Sequence, residues 1–330
     1  MRPLRVLTWH VHGSYLYYLS HVEHELFIPV LPGDPAGYCG LPASFPWRGN
    51  VHEVPAPEVR QLQFDCVLFQ SHKNYAEDRF AILSPEQRRL PSIFLEHDPP
   101  RGHPTDTRHP VDDPDVVLVH VTHFNALMWD SGRTPVRVIE HGVVDPGIRY
   151  GGQRAAGAAV INNLPSRGRR LGLDLFRDAQ RQVPLDLMGM DSEGLGGLGD
   201  VSHDRLLGRL AEYRFFFNPI RYTSLGLAVC EAMMVGLPIV GLATTETVTV
   251  VENGVSGYLD TDPQRLVEHM RRLLDRADEA RELGAGARKT ALRRFGMDRF
   301  VRDWEETLAA VTGNLERRAT AAIPTVGVPA

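Results

Sequence analysis

Residues 223–241 read TSLGLAVCEAMMVGLPIVG. From Leu225 to Gly236 the run is apolar on every side of a helix except for one carboxylate, Glu231. A helix that is apolar all round is a buried one. Gly236 supplies the stop that helices commonly take, and the following PIVG opens a short apolar strand. A buried helix running straight into a buried strand is part of a βα unit, in a parallel sheet covered on both faces. Glu231 is the anomaly, because burying an isolated charge costs several kcal/mol unless a partner offsets it. The partner is either a group of the protein or a ligand.

The same unit recurs in both directions along the chain. The first half alternates apolar runs with polar, proline-rich connections: LRVLTWHV, HELFIPVLP, FDCVLFQS, PSIFLEHDPP, DVVLVHVT and VRVIEHGVV. Between them SYLYYLSHVE and THFNALMWDSG have helical spacing, the second closing on Gly132. Around residues 145–156 the pattern dissolves into Gly, Pro and Ala, which predicts a domain boundary. It resumes with strands AAVINNL, PLDLMGM, RFFFNPI, PIVGLA and SGYLD, separated by the helices LGLDLFRDAQRQ, DRLLGRLAEY and LGLAVCEAMMVG. Two amphipathic helical segments follow from residue 262. The reading is α/β: two Rossmann-like βαβ domains, 1–148 and 149–314, facing a central cleft, then a loose tail at 315–330. The last helix is a candidate to pack back on the first domain. Open parallel sheets bind ligands at the carboxyl ends of their strands, so the ligand belongs between the domains.

Composition narrows the function. The 330 residues are 43% hydrophobic and 23% charged, with net charge −5, enough for two cores and without the basic excess of a nucleic-acid binder. No apolar run reaches the roughly 18 residues that span a bilayer, while peripheral membrane contact stays open. Cys39, Cys66 and Cys230 are far apart and lack metal-type spacing, as expected for apolar fillers in a reducing, cytoplasmic setting. Of the fourteen histidines twelve precede residue 151, but their close pairs fall on separate predicted elements, so no metal site is expected. The glycines 194, 196 and 199 spell G-x-G-x-x-G. No strand runs into the first of them and the helix opens only at Ser202 or His203, so they read as a loop. Lys73 sits on a loop after a strand and reads as solvent-facing.

A helix starting near Ser224–Gly226 directs free N–H groups at the cleft, and such ends bind anionic groups. Seven residues separate Ser224 from Glu231, nearly two turns and about 10 Å. That spacing suits a nucleotide diphosphate sugar, with the phosphate or sugar at the helix start and the ribose diol on the carboxylate. A Glu paired with an arginine in a domain core is the alternative.

SLGLAVCEAMMVGLPIVGLATTETVTVVENGVSGYLDTD (224–262) resembles the signature of retaining GT-B glycosyltransferases, in particular the family numbered four. HELFIPV, VRVIEHGVVDPG, DVSHDRLLGRLAEYRFFFNPI and RRFGMDRFVRDWEETL resemble further segments of that family in the same order. The resemblance implies that Glu231 holds the nucleotide ribose and that Thr223, Ser224, Leu225 and Gly226 surround the transferred sugar and phosphate. Thr223 stands where the family has Glu, which leaves the donor sugar open. Arg169 and Arg170, in INNLPSRGRRLGLDLF, match the cations that neutralise the diphosphate, with Arg167 beside them. His97 and Asp98, in FLEHDPP, match the acceptor-side His-Asp, and Gly13 the glycine of the first strand-to-helix turn.

The function implied is metal-independent transfer of a sugar, with retention, to a hydroxyl acceptor that is a glycan, a lipid-linked molecule or a small molecule. A nucleotide diphosphate sugar is the co-substrate, with no cofactor and no nucleic-acid partner. A degenerate nucleotide-sugar-binding protein and a nucleotide-sugar epimerase are the rival expectations.

Overall fold

The computed structural model describes residues 2–321 except His12, Asp34, Ile148 and Arg149, with side chains described through Gly313. In the first half the apolar runs become β1 (Arg5–Thr8), β2 (Glu25–Val30), β4 (Cys66–Phe69), β5 (Ser92–Glu96), β6 (Val116–His120) and β7 (Val136–Val138). The sequence reading has no counterpart for β3 (Val51–Pro55), an edge strand whose His52 and Glu53 break the apolar run. All seven strands are parallel, in the order β3-β2-β1-β4-β5-β6-β7. The second sheet takes β8 (Arg154–Val160), β9 (Leu185–Met188), β10 (Tyr213–Asn218), β11 (Ile239–Leu242) and β12 (Gly257–Asp260). It is also parallel, in the order β12-β11-β10-β8-β9. β8 begins and ends earlier than AAVINNL suggests, because Asn163 adopts a left-handed backbone (φ 54°) and turns the chain.

The helices of the first domain are α1 (Gly13–Leu19), α2 (Arg79–Ile82) and α3 (His123–Met128). α3 stops short of the expected Gly132, since Trp129 is already extended. The second domain carries α4 (Leu164–Arg167), α5 (Leu173–Gln180), α6 (His203–Leu210), α7 (Leu227–Val235), α8 (Thr247–Val250), α9 (Pro263–Asp275) and α10 (Ala277–Arg294). The last helix, α11 (Met297–Ala321), runs past residue 314 into the stretch expected as tail, consistent with its helix-favouring Leu, Glu, Arg and Ala content. Residues 322–330 lie outside the described part.

Strand order reverses once in each sheet, between β1 and β4 in the first and between β8 and β10 in the second. A parallel sheet opens a crevice at the carboxyl ends of the strands flanking such a reversal. The segments that matter are therefore those following β1, β4, β8 and β10.

The two domains share an apolar core. α11 returns to the first domain, where the fully buried Phe300 and Trp304 pack on Tyr15 and Trp304 Nε1 donates to the Tyr15 hydroxyl at 3.2 Å. Farther along, the Glu23 amide donates to Glu305 at 2.8 Å. Cys66 and Cys230 are buried fillers as expected, whereas Cys39 is exposed.

Candidate active site

α7 opens one residue after Gly226, which is its extended N-cap residue. Ser224 thus precedes the helix, and the two-turn spacing to Glu231 does not apply. Glu231 is the fifth helical residue instead, about 6 Å along the axis from the first. A side chain added at Gly226 would meet nothing within 4 Å, so the space before the first amides of α7 is open. Thr245, following β11, holds φ at 50° and directs its hydroxyl to the Ser224 carbonyl at 3.4 Å. A left-handed β-branched residue is an outlier, and such strain gathers at functional sites.

Glu231 is only 3% exposed. Its Oε1 accepts the Tyr18 hydroxyl of α1 at 2.8 Å and lies 3.3 Å from Nε2 of His203, the first residue of α6. Tyr18 is itself buried, and burial, reinforced by the carboxylate, pushes its pKa well above the usual phenol value, so it stays a donor. The rings of Tyr17, Phe45 and Trp47 continue this wall, with Phe45 4.9 Å from His203 and 5.4 Å from Trp47. The carboxylate is therefore met by protein groups from both domains and, among the described residues, by no arginine. Both contacts fall on Oε1; no described residue bonds Oε2.

The chain after β8 brings up the cations. Arg169 points outward, 76% exposed on its side chain, in an ion pair with Asp174 that Arg221 joins at 2.6 Å. Arg170 Nη1 donates to the Tyr222 carbonyl at 3.4 Å. Arg167 is half-buried, and burial followed by the nearby Arg170 lowers its pKa, with Asp98 of the first domain opposing. Arg167 and Arg170, three residues apart, thus form the inward pair. The turn that presents them packs against the segment after β10: Arg221 N donates to the Arg170 carbonyl at 3.0 Å. Gly172, at φ +84°, lies so close to the Pro219 carbonyl that no side chain fits.

On the first domain, Gln70 after β4 is buried and donates through Nε2 to Thr8 Oγ1 at 3.0 Å and to the Trp9 carbonyl at 2.8 Å. Its Oε1 therefore faces His97 Nε2, 3.3 Å away. This assigns a proton to Nε2. The Asp98 carboxylate takes Arg101 at 2.5 Å, and its amide donates to Glu96 at 2.8 Å. Gly13 begins α1 with 3.2 Å between an added Cβ and both His10 and Phe45, which favours the smallest residue there.

Two further groups tie the domains. Glu246, 2% exposed, accepts Arg294 at 2.8 Å and the Phe124 amide of the first domain at 2.8 Å, while Arg294 Nε reaches Glu140 at 2.7 Å. His141 donates through Nε2 to the Leu225 carbonyl at 2.7 Å. Burial pushes its pKa down to about 4, so the ring is neutral, with a proton to give. Among the described residues no three His, Cys, Asp or Glu side chains group as a metal site.

Residues 185–276, from β9 through α9, match the model of the family described as glycosyl transferases group 1. The chain has the two-sheet α/β fold of GT-B glycosyltransferases, with a segment similar to glycosyl transferases group 1 in its second half. Sucrose-phosphate synthase from Thermosynechococcus elongatus superposes with a TM-score of 0.64 at 15% identity, covering 98% of this chain and 100% of that one. HepE of Anabaena in complex with UDP-glucose gives 0.64 at 14% identity over 93% and 100% of the two chains. AviGT4, a glycosyltransferase involved in avilamycin A biosynthesis, gives 0.61 at 18% identity over 94% and 99%. No curated protein sequence matches this chain significantly. The group 1 match spans both halves of the candidate donor side on the second domain, α6 with His203 and α7 with Glu231.

In this chain, sequence reasoning singled out Glu231 and His97 without their partners, and Arg170 ahead of Arg167. Tyr18 and Gln70 are supplied by turns distant in sequence and carried no local signal. Arg167 carried one, its three-residue spacing from Arg170, which puts the two on one side of a tight turn.

Proposed function

We propose that the protein transfers a sugar from a nucleotide diphosphate sugar to a hydroxyl acceptor, with retention at the anomeric carbon and without metal. One observation carries the reading: a buried carboxylate stands one turn inside a nine-residue helix whose start opens into the cleft, with one oxygen held by Tyr18 and His203 and the other unbonded among the described residues. A ribose diol supplies the missing donors, each bond to the charged group contributing roughly 1.5–3 kcal/mol.

The diphosphate then lies over the first amides of α7, within reach of Arg167 and Arg170. These cations stabilise the charge that develops on the leaving phosphate. As the resemblance to retaining GT-B enzymes implies, the acceptor hydroxyl attacks from the face the phosphate leaves. Its proton passes to a phosphate oxygen, with His97 orienting the acceptor. That HepE has been seen with UDP and with UDP-glucose supports a donor of this type.

Calorimetry with UDP, GDP, ADP, TDP and CDP tests the reading. Wild type binds at least one of them, and Glu231→Ala weakens that binding at least tenfold, about 1.4 kcal/mol. Unchanged affinity removes Glu231 from the site. A second reading, a protein that binds nucleotide sugars without turnover, draws on Thr223 in place of the family's Glu and on the Tyr18 contact that already occupies Glu231. Product from any donor in such a panel excludes it.

A further inference from the structure

At the carboxyl ends of β2 and β3, beside the chain that follows β4, the first domain surrounds a cavity of about 650 Å³. That falls within the ~300–1,000 Å³ of typical small-molecule sites. Leu31, Tyr38, Ala56 and Ile82 give it mainly apolar walls. Its charge is gathered at one end. Asp78, 4% exposed, is satisfied by Lys73 and by Asn74 Nδ2 at 2.9 Å. Arg60 donates to the Ala81 carbonyl at 2.6 Å and has no carboxylate partner among the described residues. Among the described lining residues two cations, Arg60 and Lys73, face one anion, Asp78, a net positive charge. Burial holds the Tyr38 hydroxyl protonated, its pKa pushed up to about 12.

The cavity shares a wall with the cleft. Asn74, bonded to Asp78, accepts from the Gln70 amide at 3.4 Å, and Gln70 in turn faces His97. β2 and β3 lie next to β1 in the sheet, one and two strand spacings of about 4.8 Å from it. The bonded series Asp78, Asn74, Gln70 and His97 thus runs from the cavity wall to the acceptor side of the cleft.

We propose that this cavity binds a rigid apolar molecule carrying one anionic group, set against Arg60 and Lys73, and that this molecule is the body of the acceptor. The first part stands on the cavity alone; the second rests on the transfer reading above. An acceptor so held is an aromatic or polycyclic hydroxy acid rather than a free sugar, whose many hydroxyls would find few partners on these walls.

Fluorescence titration of the full chain with 6-hydroxy-2-naphthoate tests it. Saturable binding is expected, weakened at least tenfold by Ala36→Trp and by Ala81→Trp, two exposed rim positions where the indole fills space without touching the core. Arg60→Gln is expected to weaken the naphthoate about tenfold, as for one charge-assisted bond, and to leave 2-naphthol unchanged. Absence of saturable binding, or affinity indifferent to both tryptophans, overturns the proposal. UDP titration of the same variants separates the two ideas. Naphthoate bound with no nucleotide binding sinks the transfer reading and leaves the cavity assignment standing; nucleotide bound without naphthoate does the reverse.

Discussion

The Tyr18 hydroxyl donates to Glu231 Oε1 at 2.8 Å, joining the first helix of one domain to the most apolar helix of the other. The oxygen it takes belongs to the carboxylate assigned to the ribose. Tyr18→Phe therefore pulls two quantities apart. Stability falls by about 1.5–3 kcal/mol, the usual contribution of a hydrogen bond to a charged group. Nucleotide affinity rises, because the ribose no longer competes with the phenol. Urea denaturation and calorimetry with UDP read the two; a fall in both would show that Tyr18 assists the nucleotide.

Arg294 stands between Glu140 and Glu246, and all three side chains are at most 20% exposed. Removing the cation leaves two shielded carboxylates without a partner, a change that typically costs about 3–5 kcal/mol. Arg294→Met should therefore lower the melting temperature sharply, and adding Glu246→Gln should restore part of the loss. Equal melting temperatures for the single and double variants would mean that the pair does not couple.

Arg167 and Arg169 are two residues apart and are predicted to behave oppositely. Arg167→Gln removes an inward charge and should weaken nucleoside diphosphate binding roughly 10- to 100-fold, by the same scale of charge-assisted bonds. Arg169→Gln breaks an exposed pair with Asp174, of a kind that contributes little, and should leave binding within about twofold. Isothermal titration of both variants decides between them.

Acid should loosen the molecule before it reaches the carboxylate range. Burial lowers His141 to about 4 and His120 to about 3, from an ordinary 6.5. Below pH 6.5 the unfolded chain takes up protons that the folded one refuses, so stability is complete above that pH and declines as pH falls toward 4 and then 3. His141 alone contributes on the order of 3 kcal/mol to this loss. Neither ring nitrogen of the fully buried His120 has a hydrogen-bond partner among the described residues. His120→Leu is thus expected to hold or raise stability at pH 7 and to flatten the decline. Melting curves from pH 7.5 to 4 measure both effects.

Much of the scaffold was legible because its parts are local. Continuous apolar runs such as CVLF and IFLE admit little besides covered strands, and the uniform apolarity of α7 announced its burial. β3 escaped because an edge strand needs cover on fewer sides, so its polar His52 and Glu53 imitate a loop. The site was legible only where one residue contradicts its surroundings, as Glu231 does. Its partner Tyr18 looked like an ordinary aromatic of an amphipathic helix, and only the folded topology sets the two together across 213 positions. The spacing argument for Ser224 failed for a related reason: it assumed helical backbone two residues before the helix begins.

The return of α11 to the first domain has a practical consequence for anyone dividing the protein. Severing the chain between β7 and β8 would strand Phe300 and Trp304 on one fragment and their seat around Tyr15 on the other. Neither piece would then be a self-sufficient module, and each would carry a greasy scar. Co-expressed, the two halves have in that scar a ready means of finding one another, which makes this crossing a natural place to build a split enzyme.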